Sequence, residues 1–320
     1  MKIAILDDYQ DCVRTLAAFQ RLAGHEVVIL NETITDPQQL AAHLPGVEAL
    51  VLIRERTRIS AALLDRLPAL KLISQTGRHG PHIDLPACTA RGVAVAIGRG
   101  SPHAPAELTW ALVLAAMRGI AQENAMLKAG RWQTLLGRTV RGRTLGVLGY
   151  GNIGKLIAGY GRAFGMNLLT SGREATRARA QADGIDCAAS QRELFERSDV
   201  LSVHVRLAPE TRGIVGLDDL KAMPPASLFV NTSRAELVAP GALLAALNSG
   251  RPGMAAVDVF EAEPAIGDPL VQHPRVLATP HIGYVERDSY ELYFGIAFDN
   301  LVGFARGEPV ELANPEVRSR

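Results

Sequence analysis

A glycine-rich segment between a predicted strand and a predicted helix constrains this chain more than any other feature. The apolar run 145–148 leads into Gly149, Gly151 and Gly154, which have G-x-G-x-x-G spacing, and a helical pattern follows. Glycines suit this turn because the chain bends sharply, the backbone approaches a pyrophosphate, and the helix packs closely on the strand. The free N–H groups of the helix N-terminus then bind phosphate oxygens. The segment therefore predicts a dinucleotide-binding unit.

The end of the next predicted strand indicates which dinucleotide is bound. An acidic residue about twenty positions past the motif would bind the ribose 2′-OH of NAD, whereas an arginine would accommodate the 2′-phosphate of NADP. Ser171, Gly172 and Arg173 occupy this place. Arg173 offers a planar fork of donors to a phosphate, so NADP(H) is favoured over NAD(H). The alternative is that Arg173 is an ordinary solvated arginine at the start of a basic helix.

The whole chain has the balance of a globular protein with two domains. It has 320 residues, of which 48% are hydrophobic and 21% charged, and its net charge is +1. Such a small charge argues against nucleic-acid or membrane-surface partners, which usually require a basic excess. The three cysteines lack C-x-x-C spacing, and the N-terminus lacks the apolar run of a signal peptide. We therefore expect a cytoplasmic protein.

Short apolar runs alternate with helical patterns along the chain. This alternation predicts an α/β fold with parallel sheets covered by helices on both faces, in which ligands bind beyond the carboxyl ends of the strands. A glycine- and proline-rich segment, 98–105, separates two such series, and a long helix is predicted from Pro105 to about Ala129. A last helix is predicted over about 286–305. Besides the strand that ends near Ser171, the predicted strands are 3–6, 26–30, 49–53, 70–74 and 93–97, then 145–148, 200–205, 228–231, 254–260 and 276–279.

Chemically useful side chains follow several of these strands. In the first series Arg54 follows one strand, and Gly77, Arg78 and His79 follow the next. In a chain of almost zero net charge, such basic residues indicate a small anionic ligand. No third ligand with metal spacing accompanies His79 and His82, so no metal site is expected.

An arginine, acids and a histidine follow the strands of the second series. Arg234 follows one strand, Asp258 and Glu263 follow the next, and His281 follows the last. Hydride transfer to a ketone leaves an alkoxide, and a histidine can supply its proton near neutral pH. A carboxylate favours the protonated imidazole and orients it. An arginine can hold a substrate carboxylate and polarise the neighbouring carbonyl.

Five motifs in order, over nearly the full length, resemble the D-isomer-specific 2-hydroxyacid dehydrogenase family, which includes phosphoglycerate dehydrogenases and glyoxylate/hydroxypyruvate reductases. The motifs are GYGNIG at 149, SVHVRLAPETRG at 202, NTSRAELV at 231, AAVDVFEAEP at 255 and TPHIG at 279. The resemblance implies two doubly wound domains with the active site in the cleft between them. It implies a flavodoxin-like substrate domain, residues 1–100 and 286–320, and a Rossmann dinucleotide-binding domain, residues 101–285. It also implies that the long helix after Pro105 helps to build a homodimer.

The resemblance also implies roles for individual residues. Arg234 would bind the substrate carboxylate and carbonyl, His281 would be the acid/base, and Glu263 its carboxylate partner. Asp258 would contact the nicotinamide end, and the N–H groups of Arg78 and His79 would help to hold the substrate carboxylate. The expected substrate-binding set is Arg54, Gly77, Arg78 and His79. The expected cofactor-binding set is Gly149, Gly151, Asn152, Ile153, Gly154, Ser171, Arg173, His204, Thr232 and Asp258.

The chain departs from the family pattern at three places, one loop and two single positions. The normally glycine-rich substrate loop reads Gly77-Arg78-His79, so a bulky side chain replaces its second glycine. Arg206 stands where a proline is usual beside the cofactor, and Ala235 stands where a glycine is usual. We expect a reductase of a small 2-oxo acid. The alternatives are a non-enzymatic dinucleotide-sensing protein on the same fold and a dehydrogenase of another small acid, such as formate or phosphite. The motifs do not identify the side chain of the substrate.

Overall fold

The computed structural model describes residues 1–308 and 310–319, and these form two compact units. Unit 1 comprises Met1–Ser101 and Glu286–Arg320, and unit 2 comprises Pro102–Val285. Each unit contains a sheet whose strands are all parallel, with helices on its faces. The predicted α/β class with two doubly wound sheets is confirmed. None of the helices in the described part of the chain combines the length and apolar composition needed to cross a membrane.

The sheet of unit 1 has five strands in the order β2-β1-β3-β4-β5. Its central strands β3 and β4 are buried at every position, as expected for strands covered on both faces, which read as continuous apolar runs. The strand order reverses between β1 and β3, so the carboxyl ends of these strands form a switch point of the flavodoxin type. The strands are Lys2–Ile5, Glu26–Ile29, Ala49–Leu52, Leu72–Gln75 and Ala94–Ala96 (β1 to β5).

Short capped helices connect the strands of unit 1. The carboxylate of Asp36 and the hydroxyl of Ser60 accept N–H groups in the first turns of α1 and α2, and Asp84 does the same for α3. Such caps satisfy donors that a helix N-terminus leaves free. These helices are Pro37–Ala42, Ala61–Leu64 and Leu85–Ala90 (α1 to α3).

Unit 2 opens with two helices, α4 (His103–Arg118) and α5 (Ile120–Lys128). The prediction of one continuous helix from Pro105 to Ala129 is therefore wrong. Gly119 adopts φ +63°, ψ +29°, a left-handed conformation that glycine takes at low cost and that ends a helix. A glycine within an alanine-rich apolar pattern does not by itself indicate that the helix ends there.

The seven strands of unit 2 lie in the order β12-β11-β10-β9-β6-β7-β8. The order reverses between β6 and β9, which is the arrangement of a dinucleotide-binding sheet. The short strand β8 was not predicted, because two residues carry no readable periodicity. The strands are Thr144–Leu148, Asn167–Ser171, Asp186–Cys187, Val200–Val203, Leu228–Asn231, Met254–Val257 and Val276–Ala278 (β6 to β12).

Apolar clusters cover both faces of the unit 2 sheet. One cluster packs helices α8 to α10 against the sheet around Phe195 and Phe229, and the other packs α4 and α6 around Trp110 and Ile157. The helices of this unit after α5 are Asn152–Ala163, Glu174–Ala182, Gln191–Arg197, Leu217–Ala222, Ala242–Asn248 and Pro269–Gln272 (α6 to α11).

The last helix, α12 (Arg287–Ala305), packs within unit 1. The Ser74 hydroxyl at the end of β4 donates to the carbonyl of Ala297 over 2.9 Å, and the Arg21 guanidinium donates to the carbonyl of Gly295. Phe298 is buried against the edge of Phe19. A helix separated from β4 by more than two hundred residues thus becomes part of the same core.

Candidate active site

The glycine-rich turn between β6 and α6 is built by two glycines that cannot carry a side chain and one that could. Gly149 has φ +101°, and a Cβ there would lie 2.6 Å from the carbonyl carbon of His204. A Cβ on Gly154 would lie 2.1 Å from the carbonyl oxygen of Gly149, whereas a Cβ on Gly151 would meet nothing within 4 Å. The first and third glycines therefore allow the turn to close, and the second leaves open space above the backbone.

That open space fits the pyrophosphate of a dinucleotide. Helix α6 begins at Asn152, its N-cap residue is Gly151, and no side chain caps its first N–H groups. Asn152 is exposed beside the turn, and Ile153 packs on the apolar cluster beneath the helix. A helix N-terminus with free N–H groups facing a glycine is the arrangement that phosphates bind.

Tyr150, which lies within the turn, is a residue whose contacts the motif did not predict. Its side chain is buried, and its hydroxyl donates to Oδ2 of Asp183 over 2.7 Å. Lys155 is 3.1 Å from the same oxygen. Burial, followed by the bond to Asp183, raises the pKa of Tyr150 to about 12, so the hydroxyl keeps its proton. Asp183 ends helix α7, and this contact therefore ties the turn to the element that follows β7.

The end of β7 carries the two residues expected to distinguish the cofactors. Ser171 is buried as the last residue of the strand, and Arg173 is exposed as the N-cap residue of α7. Within the described chain no carboxylate lies within 4.0 Å of the Arg173 guanidinium, whereas Lys155 of α6 lies 3.1 Å from Asp183. Glu174 follows it in the first turn of α7. The guanidinium is accordingly available to an anion.

His204, after β9, lies directly against the glycine-rich turn. Its N–H donates to the carbonyl of Leu148 over 2.7 Å, and its Nε2 is 2.8 Å from the hydroxyl of Ser202. The residue as a whole is only partly buried, but its Nδ1 atom has no solvent access and no hydrogen-bond partner in the described structure. Burial lowers the pKa of His204 to about 3, so the ring is neutral. His204 therefore lies against the turn as an uncharged group, and its contact with the cofactor stays a prediction.

The loop after β10 holds Thr232 and Arg234. The Thr109 hydroxyl donates to the carbonyl of Pro105, so in the 2.6 Å contact between the two threonines Thr232 must be the donor. The Asn231 amide donates to the carbonyl of Arg234 over 2.9 Å, which fixes the backbone there. The guanidinium of Arg234 donates to the carbonyl of Ser233 and is half-buried.

His281 and Glu263 form a hydrogen-bonded pair. Nδ1 of His281 is 2.7 Å from Oε2 of Glu263, and Oε1 of Glu263 accepts the N–H of Phe260 over 3.1 Å. Burial by itself raises the pKa of Glu263, but the hydrogen bond and charge of His281, the Phe260 N–H and the Arg234 charge together hold it below its usual value. The carboxylate is thus ionised next to the imidazole. Arg234, Glu263 and His281 lie together in unit 2.

Asp258 supports the loop that carries His281. Its fully buried carboxylate accepts the hydroxyl of Thr279 over 2.7 Å and the N–H groups of Ile282 and Gly283 over 2.8 and 2.9 Å. Burial raises the pKa of Asp258 despite these hydrogen bonds. The sequence pattern did not show this role, because the partners lie more than twenty residues away. A direct contact with the nicotinamide end stays a prediction.

The residues expected to bind substrate in unit 1 follow β3 and β4. Arg54 has φ +55°, and its guanidinium lies so close to Gly77 that a Cβ on the glycine would come within 2.2 Å of it. The guanidinium also stacks on the ring of Tyr293, at 5.7 Å from the centroid. Arg78 and His79 are exposed, and their backbone N–H groups have no acceptor among the described residues. Two adjacent free N–H donors beside an arginine can bind a carboxylate.

Known proteins are similar to this chain in sequence and in structure. The family model for the NAD binding domain of D-isomer specific 2-hydroxyacid dehydrogenases matches residues 110–283. A glyoxylate reductase of Aeropyrum pernix is 37% identical over 272 residues, which cover 81% of each chain. A D-3-phosphoglycerate dehydrogenase of Bacillus subtilis is 32% identical over 89% of this chain, which spans 54% of the length of that relative.

Solved structures match the chain along almost its whole length. An oxidoreductase from Ralstonia solanacearum has a TM-score of 0.97 with 57% identity, over 99% of this chain and 97% of the other. A phosphoglycerate oxidoreductase from Vibrio cholerae O395 has a TM-score of 0.94 with 54% identity, over 96% of this chain and 99% of the other. The chain belongs to the D-isomer specific 2-hydroxyacid dehydrogenase family.

Proposed function

We propose that this dehydrogenase acts as a reductase of small 2-oxo acids and forms the D-2-hydroxy acid. The observation that carries the proposal is the pair of His281 and Glu263, 2.7 Å apart, with the Arg234 charge close enough to lower the pKa of the carboxylate. A proton donor, its orienting carboxylate and a cation are the three groups that reduction of a 2-oxo acid requires. A nicotinamide dinucleotide as cofactor is supported by the glycine-rich turn, by the N-terminus of α6 and by the open space at Gly151.

Each residue of the proposed site has a distinct task. The bound nicotinamide cofactor supplies the hydride that C2 of the substrate gains. Arg234 binds the substrate carboxylate and polarises the carbonyl. Because Glu263 occupies Nδ1 of His281, the proton that neutralises the developing alkoxide comes from Nε2. Asp258 keeps His281 in place through the backbone of Ile282 and Gly283.

In unit 1 we assign substrate binding to Arg54 and to the loop that begins at Gly77. The N–H groups of the exposed residues Arg78 and His79 are donors for a carboxylate, and Arg54 adds a positive charge held against Gly77. The bulky side chains of Arg78 and His79 leave less space for the substrate beside this loop than a run of glycines would. They favour substrates with a small C3 substituent.

We further propose that NADPH is preferred to NADH. Arg173 is exposed at the end of β7, and no acidic partner neutralises it among the residues described. A guanidinium at this place can bind the 2′-phosphate bidentately. Ser171, His204, Thr232 and the residues Asn152 and Ile153 of α6 complete the proposed cofactor site.

We also propose that a second copy of the chain covers the surface formed by α5 and the loop after it. Trp132 is 76% exposed and Leu136 99% exposed, and Ile120 and Leu127 of α5 are also largely exposed. Several large apolar side chains so close together in the sequence and so exposed are typical of an interface between subunits. The expected assembly is a homodimer.

The proposal is tested by initial rates of NADPH and NADH oxidation with glyoxylate, hydroxypyruvate, pyruvate and phenylpyruvate. We expect turnover that prefers NADPH, and a loss in kcat of about 10²–10⁴-fold in His281→Ala with unchanged dinucleotide affinity. His43→Ala, at an exposed position of unit 1, serves as the matched control. A preference for NADH would refute only the cofactor proposal. Tight dinucleotide binding without turnover of any oxo acid would instead indicate a sensing protein.

A further inference from the structure

Arg206 lies in the loop that adjoins the glycine-rich turn. Strand β9 pairs with β6 so that Val203 is opposite Leu148, and both strands end at the same edge of the sheet. The peptide that follows is in contact with the turn, because a Cβ on Gly149 would lie 2.7 Å from the N atom of Val205. Arg206 is the next residue along the chain. Its backbone therefore begins one residue beyond a peptide that contacts the glycine-rich turn.

The backbone of this loop is held by its own hydrogen bonds. The Thr211 hydroxyl donates to the carbonyl of Arg206 over 2.8 Å, and the N–H of Ala208 is 2.8 Å from the same hydroxyl oxygen. The N–H groups of Thr211 and Arg212 both donate to the carbonyl of Ala208. Arg206 thus projects from a fixed turn, so that binding a ligand costs little backbone entropy.

The charge of Arg206 is not neutralised within the described structure. Its side chain is exposed, and no carboxylate of residues 1–308 and 310–319 lies within 4.0 Å of its guanidinium. Its neighbours differ in this respect. Arg212 in the same loop lies 3.9 Å from Glu236, and Lys155 of α6 lies 3.1 Å from Asp183. Among these described cations of the loop after β9, the start of α6 and the end of β7, Arg206 and Arg173 have no carboxylate within 4.0 Å.

We propose that Arg206 contacts a phosphate group of the bound dinucleotide. The inference rests on the proposed dinucleotide site and adds a residue to it, at a position where the family usually has a proline that offers no charge. Two phosphate groups of the cofactor are candidates. The pyrophosphate would lie over the turn next to β9, and the 2′-phosphate of NADP would lie toward β7, on the other side of β6. The chemistry is the same for both, namely a guanidinium that donates to phosphate oxygens.

The test is calorimetric titration of the full-length protein with NADPH and with NADH, for the parent and for Arg206→Gln. We expect about a fivefold loss of affinity in R206Q, the size typical of an accessible charge-assisted contact. The loss should shrink as potassium chloride is raised, because salt screens exposed charges. Arg206→Lys should recover part of the affinity. Arg212→Gln is the matched control, since that residue shares the loop and the exposure but has an acidic partner.

The two cofactors separate the possible contacts. An equal loss for NADPH and NADH in R206Q would assign Arg206 to the pyrophosphate, and a loss for NADPH alone would assign it to the 2′-phosphate. Unchanged affinity for both cofactors, with R206Q melting at the temperature of the parent, would overturn the inference. A parent that binds NADH more tightly would refute the proposed NADPH preference, while the comparison of R206Q with the parent for both cofactors would still decide this inference.

Discussion

At the scale of single residues, the geometry of the site depends on an unusual backbone conformation at His281. Its φ of +52° lies in the left-handed region, which non-glycine residues adopt at a cost and which often marks functional positions. Backbone hydrogen bonds at His281 and at the two residues after it stabilise this conformation. The N–H of His281 donates to the carbonyl of Thr279, and the next two N–H groups donate to Asp258. The ring is thereby presented to Glu263 and to the edge of Tyr284.

The first prediction concerns Glu263→Gln. In the folded protein the pKa of Glu263 is lowered, so the carboxylate is charged throughout the range in which an imidazole titrates, near pH 6.5. Removing that charge destabilises the protonated imidazole, which is the proton donor in the proposed reduction. We expect a kcat loss of about 10²-fold and an alkaline limb of the kcat profile that moves to lower pH.

The measurement is the pH dependence of kcat for the parent and for Glu263→Gln, with Glu261→Gln as the control. Glu261 lies in the same loop, is exposed, and accepts a backbone N–H of Gly241 rather than the imidazole. If the two variants have the same profile as the parent, Glu263 does not support proton transfer. A kcat loss without a shift of the alkaline limb would indicate that it only orients the ring.

At the scale of elements, the strand–turn–helix unit of β6 and α6 contains some glycines that folding requires and another that we assign to ligand binding. Gly149 and Gly154 are required by the closure of the turn, and Gly151 is not, because its missing side chain would point into open space. The hydrogen bond from Tyr150 to Asp183 connects this unit to the end of α7. Similar glycines in one short motif therefore have different physical roles.

The second prediction compares Gly151→Ala with Gly154→Ala. Gly151 has φ −97°, which alanine adopts without strain, so G151A should fold with the melting temperature of the parent. Its methyl group would occupy the space proposed for the pyrophosphate, and dinucleotide affinity should fall by about tenfold or more. G154A should lose stability, by about 2 kcal/mol or more, because its Cβ would meet a backbone oxygen.

Thermal unfolding and calorimetric titration of both variants check this prediction. Gly159→Ala is the control, since it lies in α6 with nothing within 4 Å of the added Cβ and should leave binding unchanged. Parent-like dinucleotide affinity in G151A would contradict the proposed position of the phosphates. Parent-like stability in G154A would show that the turn relaxes more easily than its packing indicates.

At the scale of the whole molecule, the chain builds unit 1 from both of its ends. Residues 1–101 form the sheet of this unit. Helix α12 completes the core of the unit, because it packs against β4 at Ser74 and against Phe19. Unit 2 lies between these segments in the sequence and presents the exposed apolar side chains of α5 and the following loop. The discontinuous unit is therefore complete only once α12 has been added.

The third prediction concerns the proposed dimer. The double variant Trp132→Ser with Leu136→Asp should sediment as a monomer at micromolar concentration, because it removes two largely exposed apolar side chains from the proposed interface and adds a charge. Analytical ultracentrifugation measures the change. Ile266→Asp, at a 95% exposed position on another loop of unit 2, should leave the dimer intact. A parent protein that sediments as a monomer would refute the proposal.

Much of the fold and of the candidate site was predictable from the sequence because it depends on local features. Buried parallel strands read as short apolar runs, so β1 to β5 were located to within about two residues. Gly149, Gly151 and Gly154 indicated the turn through the conformations and close approaches that glycine permits. The motifs around Arg234, Glu263 and His281 indicated the residues that the structure brings together in unit 2.

Other features were decided only by the tertiary structure, because they depend on partners distant in the sequence. The carboxylate of Asp258 holds the His281 loop through Ile282 and Gly283, and the Tyr150 hydroxyl finds Asp183 at the end of another helix. No periodicity encodes such contacts, since strand order brings their partners together. The break at Gly119 is similar, because a glycine within an apolar helical pattern is compatible with either a continuous helix or a left-handed stop. Local chemistry specified the elements and the reactive groups, and packing between distant segments specified how those groups are held.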